Sequence, residues 1–284
     1  MHNIIIQYIF FVFILFFTTI SVAQEKVYHT FNTTRIGNGH STETLWKNEL
    51  DLFFGHKFGD YTNKLKNTFY TTDVSFGADF GVSNNVLVGA YISKGAGPYR
   101  ELINGFVKHK VMQQEKNGKP LNITMFANTS YSTMDASTDN TSPTSFQSWE
   151  HRLSYTFQTL ISRKINERFS LQIAPTLVHR NYVAYDDVNT MFSLGFASRY
   201  QINKVLGVTA EYYLNVPHNR TILGQTYYDP LTIGVEFNTG GHVFRILFSN
   251  SAGFGESQFI PYTNSTWSNG GFRIGFAFGR LFKM

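Results

Sequence analysis

The fold is decided by residues 151–181, which read HRLSYTFQTLISRKINERFSLQIAPTLVHRN. Apolar and polar residues alternate in the first half, where the apolar set is Leu153, Tyr155, Phe157 and Ile161. The second half alternates again after the charged turn of residues 163–168. Because successive side chains of a strand point to opposite faces, each half predicts a strand with one apolar and one polar face. Two such strands joined by a short polar turn predict a β-hairpin.

The length of these strands indicates a membrane. Each has about ten alternating residues, which is what a tilted strand needs to cross the hydrocarbon core of a bilayer. Soluble β-sandwiches are the competing interpretation, but their strands usually have about five or six residues. The hairpin therefore favours membrane-spanning strands.

Composition agrees with this interpretation. The chain of 284 residues contains 28 Phe, 16 Tyr and no Cys, and 15% of its residues are charged. A high aromatic content is typical of lipid-facing girdles. The lack of cysteine excludes disulfides, Cys-based zinc sites and thiol catalysis. The formal net charge is +5, but the basic residues are scattered along the chain, which argues against nucleic-acid binding.

The chain begins with a secretory signal. Residues 1–23 read MHNIIIQYIFFVFILFFTTISVA and end in the small-x-small pattern Ser21-Val22-Ala23. We therefore expect cleavage before Gln24. The segment has no Lys or Arg before its apolar core, so an uncleaved single-span anchor is the alternative. No later segment approaches 18 unbroken apolar residues, so any further membrane crossing must use strands.

The alternation recurs along the chain. It predicts about 12 strands within residues 44–284, after a polar lead-in of residues 24–43 that we place in the periplasm. The connections after even-numbered strands are short, and those after odd-numbered strands are mostly longer. Outer-membrane barrels have short periplasmic turns and longer outer loops. We therefore predict an all-β fold, a closed transmembrane antiparallel β-barrel in the outer membrane, surrounded by outer-membrane lipid.

Pro175 is a local misfit in the second strand of the hairpin. Proline cannot donate a hydrogen bond to a ladder, and strand interiors rarely contain it. We expect a β-bulge or a position at the barrel rim.

Three blocks of the sequence carry a resemblance to known proteins. They are RIGNGHSTET (35–44), the hairpin of residues 151–181 and TGGHVFRILFSNS (239–251). Together they resemble an uncharacterised family of outer-membrane β-barrel proteins of Gram-negative bacteria. The likeness extends over nearly the whole chain after the signal, and it implies the barrel and its compartment. The family is defined by its domain and not by an activity, so the resemblance implies no catalytic or binding residues.

The polar strand faces predict a charged lumen, which is the candidate functional surface. Parity points the following acidic and basic side chains inward: Glu49, Asp51, Asp73, Asp79, Lys108, Arg152, Arg180, Arg199, Glu211, Glu236, Arg245 and Arg273. If acids and bases segregate across the lumen, they create a transverse field that screens solutes in a pore. If they interleave, they form a salt-bridged plug in a closed barrel. A lumen of this strand number lies between side-chain-filled and openly porous sizes, so both arrangements stay open.

Two functions follow from these arrangements. The first hypothesis is that the barrel passes or binds a small solute through its charged lumen. The alternative is a closed structural or partner-docking barrel without transport, with an unspecified periplasmic partner and its function in residues 35–41 or in the outer loops.

Covalent chemistry is a minor alternative, because one class of outer-membrane phospholipase is a barrel of this size. Its Ser and His must meet on one surface, whereas His40 and Ser41 are adjacent and point to opposite faces of a strand. The histidines lack metal-binding spacing, and Asp186-Asp187 is better explained as a solvated turn than as a cation site. We predict no enzymatic activity, no catalytic residue, no metal and no cofactor.

Overall fold

The computed structural model describes residues 25–60, 73–95 and 97–284, and the predicted signal of residues 1–23 lies outside them. The strands are β1 (Glu49–Lys57), β2 (Asp73–Gly81), β3 (Val86–Lys94), β4 (Glu101–Met112), β5 (Asn122–Ser132), β6 (Leu153–Lys164), β7 (Phe169–Arg180), β8 (Thr190–Gln201), β9 (Leu206–Val216), β10 (Arg220–Ile222), β11 (Gln225–Tyr227), β12 (Leu231–Asn238), β13 (His242–Ser249) and β14 (Arg273–Lys283). Among the described residues, no helix has the length and apolar character that a membrane-spanning helix needs.

Twelve of these strands form one closed antiparallel barrel, and β10 and β11 form a separate hairpin in the connection between β9 and β12. Barrel strands that follow each other along the chain pair side by side, and β1 closes the barrel by pairing with β14 from Glu49↔Lys283 to Lys57↔Gly275. The connections alternate between short turns and longer loops, except that the β4–β5 connection (residues 113–121) is longer than the β3–β4 connection (residues 95–100). The predicted twelve-stranded barrel is confirmed. We refer below to its short-turn end and its long-loop end.

The alternation of the sequence becomes the two faces of the barrel wall. In β6, Ser154, Thr156 and Gln158 are buried against the lumen, whereas Phe157 between them is 54% exposed on the outside. Exposed apolar side chains recur on the outer face of most other strands. In lipid such a surface is solvated, while the strand ladders satisfy the backbone polar groups.

Pro175 lies in the middle of β7, so the prediction of a bulge or a rim position is wrong. The β6–β7 ladder pairs Gln158 with Thr176 and Ile161 with Ile173 in one constant register, and only the positions between them are unpaired. On its other side, Pro175 pairs normally with Leu194 of β8. A residue in an antiparallel ladder directs its N–H and C=O to one neighbour. Proline therefore interrupts one ladder and leaves the other intact.

The lumen contains two segments that are not part of the wall. The first is the N-terminal insert, residues 30–45, which is largely buried. The structure thus differs from the predicted periplasmic lead-in of residues 24–43, since most of that segment lies inside the barrel. Only the preceding residues stay at the short-turn end, where Val27 N–H donates to Gln114 O at 2.8 Å. A polar segment is expected in water, but a polar lumen wall offers it the same kind of hydrogen-bond partners.

The second segment is the loop insert, residues 250–263, between β13 and β14. It contains a single helical turn, Glu256–Phe259, whose four residues are all buried. The Phe259 ring packs edge-on against Tyr213 of β9 at 5.1 Å, and Asn215 Nδ2 donates to Ile260 O at 2.8 Å. The loop insert thus fills the lumen from the long-loop end, as the N-terminal insert does from the short-turn end.

Candidate functional site

The predicted charged residues line the lumen or stand at its mouth. Ten of them are buried inside the wall: Glu49, Asp51, Asp73, Asp79, Lys108, Arg180, Arg199, Glu211, Glu236 and Arg245. The other two, Arg152 and Arg273, are half-buried. Arg152 belongs to the short turn before β6, and its guanidinium lies 4.6 Å from the centre of the Phe146 ring.

Two pairs of these acids and bases contact each other within the wall. Arg199 Nε lies 2.9 Å from Glu236 Oε1, and Arg273 Nη1 lies 3.7 Å from Asp73 Oδ2. At these two places opposite charges neutralise each other locally, as in the second of the two arrangements that the sequence left open. The acids of β1 and β2 and the bases of β4, β7 and β8 lie in separate parts of the wall. Such pairing weakens a transverse field and strengthens the closed form.

The N-terminal insert is held by a carboxylate cradle at Glu211 of β9. The backbone N–H groups of Gly37, Asn38 and Gly39 all donate to the Glu211 carboxylate, at 3.0 to 3.3 Å. Successive backbone N–H groups in a turn form a concave anion site. A side chain at Gly39 has no room, because a Cβ there would lie 2.0 Å from the Tyr213 hydroxyl oxygen. The glycines of this block thus permit the close approach of backbone to carboxylate.

Other wall charges bind the insert as well. Arg35 forms a two-point ion pair with Asp79 of β2, at 2.7 and 3.2 Å. Lys108 Nζ of β4 donates to the carbonyl oxygens of Thr34 at 3.2 Å and Glu43 at 2.6 Å. The charged wall is therefore complementary to the insert, and much of that complementarity is to its backbone.

Among the described residues, the charged or titratable lumen residues that the sequence reasoning missed include Arg35, His40, Lys57 and Glu256. Lys57 has the strand parity of Glu49 and Asp51 on β1, so the alternation could have found it. Its Nζ donates to Gly253 O at 2.7 Å and lies 4.5 Å from the centre of the Phe254 ring. The other three belong to the inserts, whose sequences carry no signal of their place inside the barrel.

The two inserts meet near the middle of the lumen. His40 Nε2 of the N-terminal insert lies 3.8 Å from Glu256 Oε1 of the loop insert, and both side chains are 1% exposed. Burial raises the pKa of Glu256 to about 7. Burial lowers the pKa of His40 well below its usual value, and Arg35 and Lys108 lower it further. This contact closes the gap between the segments that enter from opposite ends.

Asp186 and Asp187, in the loop between β7 and β8 at the long-loop end, have protein partners. Asp187 pairs with Arg180 at 2.8 Å and also with Arg220, and Asp186 Oδ2 accepts the backbone N–H of Leu223 at 2.7 Å. Over the part of the chain that the structure describes, no group of three or more His, Asp or Glu side chains is arranged to hold a metal ion. These acids therefore stabilise the long-loop end of the barrel.

Comparison with known proteins agrees with the geometry. A family model described as "Membrane bound beta barrel domain (DUF5777)" matches residues 31–282. The solved structure of the NanC porin superposes with a TM-score of 0.51 at 11% identity, covering 83% of this chain and 100% of that chain. An outer-membrane channel from Pseudomonas putida F1 gives a TM-score of 0.45 at 10% identity, covering 84% of this chain and 97% of that chain. Curated proteins give no match. The similarity to the NanC porin concerns the fold alone.

Proposed function

The chain belongs to the DUF5777 family of membrane-bound β-barrel domains, and we propose that it passes a small polar solute through its charged lumen in the outer membrane. The two inserts lie within the lumen. Passage requires the inserts to withdraw. The proposed function involves no covalent chemistry, and lipid hydrolysis by the purified protein would contradict it.

The observation that carries the proposal is the way the wall holds its contents. Glu211, Lys108 and Arg245 bind backbone atoms of the N-terminal insert, which is a segment outside the strand ladders of the barrel. Water can replace every one of those backbone groups as a hydrogen-bond partner. Withdrawal of the insert therefore leaves an intact barrel with a hydrated and charged lumen, which suits polar solutes.

A closed structural barrel is the second candidate, and the ion pairs within the wall support it. Arg199 and Glu236 pair directly within the wall, and Asn32 of the insert adds a hydrogen bond to Glu236 at 2.6 Å. Such a network stabilises one packed arrangement of the lumen. In that case the function belongs to surfaces outside the lumen.

Conductance in a planar bilayer separates these two functions. We expect the purified full chain to show openings and a variant without residues 25–45 to conduct persistently. Heat-modifiable migration on a gel should show that both are folded barrels. If the full chain stays silent at all voltages and gives no liposome swelling with polar solutes, while the shortened variant conducts, the closed structural barrel is correct.

The route to the membrane is also a proposal. The apolar segment before Gln24 supports secretion with cleavage at that residue. The intact mass of the protein from isolated outer membranes tests it, since cleavage removes residues 1–23. A mass that retains them would identify an uncleaved anchor.

A further inference from the structure

The contact between the inserts is a pair of titratable side chains, both of them buried. The His40 ring lies between two aromatic rings of the wall, with centroids 4.7 Å from Phe106 and 4.3 Å from Phe126. His40 Nδ1 and both carboxyl oxygens of Glu256 have no hydrogen bond with any other described residue, although the His40 ring has one to the backbone of Thr34. Two buried groups, each with an unused hydrogen-bonding atom, therefore lie close together, with His40 Nε2 3.8 Å from Glu256 Oε1.

The other charged groups around this pair already have partners. Arg35 is engaged by Asp79, Lys108 by two carbonyl oxygens, and Glu211 by three backbone N–H groups. The remaining titratable neighbours that face Glu256 are Tyr91 of β3 and Tyr213 of β9. Lys108 and Glu211 bind only backbone groups and keep their charges, but these two charges act on Glu256 in opposite directions. A net charge on the His40–Glu256 pair would therefore lack net compensation nearby. Burial of an uncompensated charge is costly, so the pair is stable only when it is neutral overall.

We propose that His40 and Glu256 form a proton-binding latch that joins the two inserts, with one proton on the pair in the closed barrel. The proton sits on Glu256 or on His40, and either arrangement gives a neutral pair. The latch deepens the proposed function and rests on it, because closure matters only for a lumen that conducts.

The number of protons bound by the closed and open forms determines how the latch responds to pH. When the inserts separate, both side chains reach water and regain ordinary pKa values of about 4.3 for Glu and about 6.5 for His. Between those values the separated pair also holds one proton, on histidine. The closed and open forms then bind equal numbers of protons, so acidity in this range does not shift the equilibrium. The latch thus holds the barrel closed across mildly acidic pH.

Replacing either residue alone makes the closed and open forms bind different numbers of protons, and the sign of the difference depends on which residue is replaced. In Glu256→Gln the closed form holds no proton on His40 and the open form gains one below about pH 6.5, so acid opens the barrel. In His40→Gln the closed form keeps a proton on Glu256, whose pKa there is about 7, and the open form loses it, so acid closes the barrel. A difference of one proton changes the equilibrium about tenfold per pH unit.

A single cysteine reports opening without a conductance measurement. The chain contains no cysteine of its own. Ser251 in the loop insert is 0% exposed and its hydroxyl has no hydrogen-bond partner among the described residues, so Ser251→Cys costs little. Its maleimide labelling rate is measured from pH 5 to 7 in liposomes, at low reagent concentration so that the rate follows the open population. The rate is divided by that of Ser148→Cys, at an exposed position, to correct for the effect of thiol ionisation on the labelling rate.

We expect a nearly flat profile in the otherwise unchanged protein, a rise of about tenfold per unit with acid in Glu256→Gln, and a fall of similar size with acid in His40→Gln. The double variant should be flat, and Glu150→Gln, at an exposed outer position, should match the parent. Flat profiles in both single variants overturn the latch. Opposite slopes in a protein that never conducts would support the latch and refute solute passage. Conductance without these slopes would support solute passage and refute the latch.

Discussion

Replacing Glu211 by glutamine tests whether the carboxylate cradle holds the N-terminal insert in the lumen. One carboxylate oxygen accepts the N–H groups of Asn38 and Gly39, at 3.0 and 3.2 Å, and the other accepts those of Gly37 and Gly39, at 3.3 and 3.0 Å. Glutamine keeps one acceptor and turns an NH₂ group toward the remaining N–H donors. Two charge-assisted hydrogen bonds are lost, and donors then face donors.

The free-energy cost of this substitution follows from the hydrogen bonds that are lost. A hydrogen bond to a charged group contributes about 1.5–3 kcal/mol net, so the loss of two weakens the seating of the insert by about 3–6 kcal/mol. Each 1.4 kcal/mol is about a factor of ten in population. The withdrawn population should therefore rise at least about a hundredfold.

Limited trypsin digestion measures that population with a site the chain already has. Arg35 is paired with Asp79 inside the barrel, so cleavage after it requires the insert to withdraw. Under conditions where closing outpaces cleavage, the rate follows the withdrawn population. Mass spectrometry detects the new N-terminus at Ile36. The matched control is Glu101→Gln, because the Glu101–Lys94 pair is largely exposed and such pairs contribute little.

An unchanged cleavage rate in a folded Glu211→Gln barrel would refute this account of the insert. Heat-modifiable migration establishes that the barrel is folded. A rate that rises equally in Glu101→Gln would also count against it, since the effect would then be general loosening.

Three further outcomes follow from individual contacts. Gly39→Ala should raise the rate in the same tryptic assay, because its Cβ would lie 2.0 Å from the Tyr213 hydroxyl oxygen, and a rate equal to the parent's would show that the turn tolerates the methyl group. Pro175→Val should raise the temperature of the gel shift, since it restores an N–H to the interrupted β6–β7 ladder and adds about 1 kcal/mol; a lowered temperature would show that the interruption is needed. Arg273→Gln should shift the reversal potential of the variant lacking residues 25–45 toward cation selectivity in a salt gradient, whereas a change in stability alone would favour the structural barrel.

The barrel could be predicted from the sequence because its wall repeats one local rule. In lipid the outer face must be apolar, and in a polar lumen the inner face must be polar, so every strand shows a period of two. Parity therefore placed residues as distant as Asp51 and Arg245 on the same inner surface. The position of Pro175 was not predicted by this rule. The ladder tolerates a missing N–H donor on one side, and the alternation of apolar and polar side chains carries no information about backbone donors.

The contents of the lumen could not be predicted in the same way. The segment around His40 and the segment around Glu256 are polar or glycine-rich, and such segments have no periodicity that distinguishes a buried loop from a solvated one. Their burial depends on partners from strands far along the chain, such as Glu211 for the turn at Gly37 to Gly39. The sequence showed the charges of the wall but not what those charges bind.

The inserts bury some apolar side chains, such as Phe31 and Phe259, but their many polar contacts with the wall have a separate consequence for opening. An apolar plug would lose its whole burial free energy on entering water, about 25 cal/mol for each Å² exposed. The wall charges and the insert backbone instead exchange one set of hydrogen-bond partners for water, and the net contribution of each such bond is about 0.5–3 kcal/mol. For these polar contacts closure is a small difference between two satisfied states, whereas the buried apolar side chains of the inserts add to the free-energy cost of opening. Glu211 at the cradle and the His40–Glu256 pair between the inserts are the contacts where a single substitution should shift the barrel between closed and open.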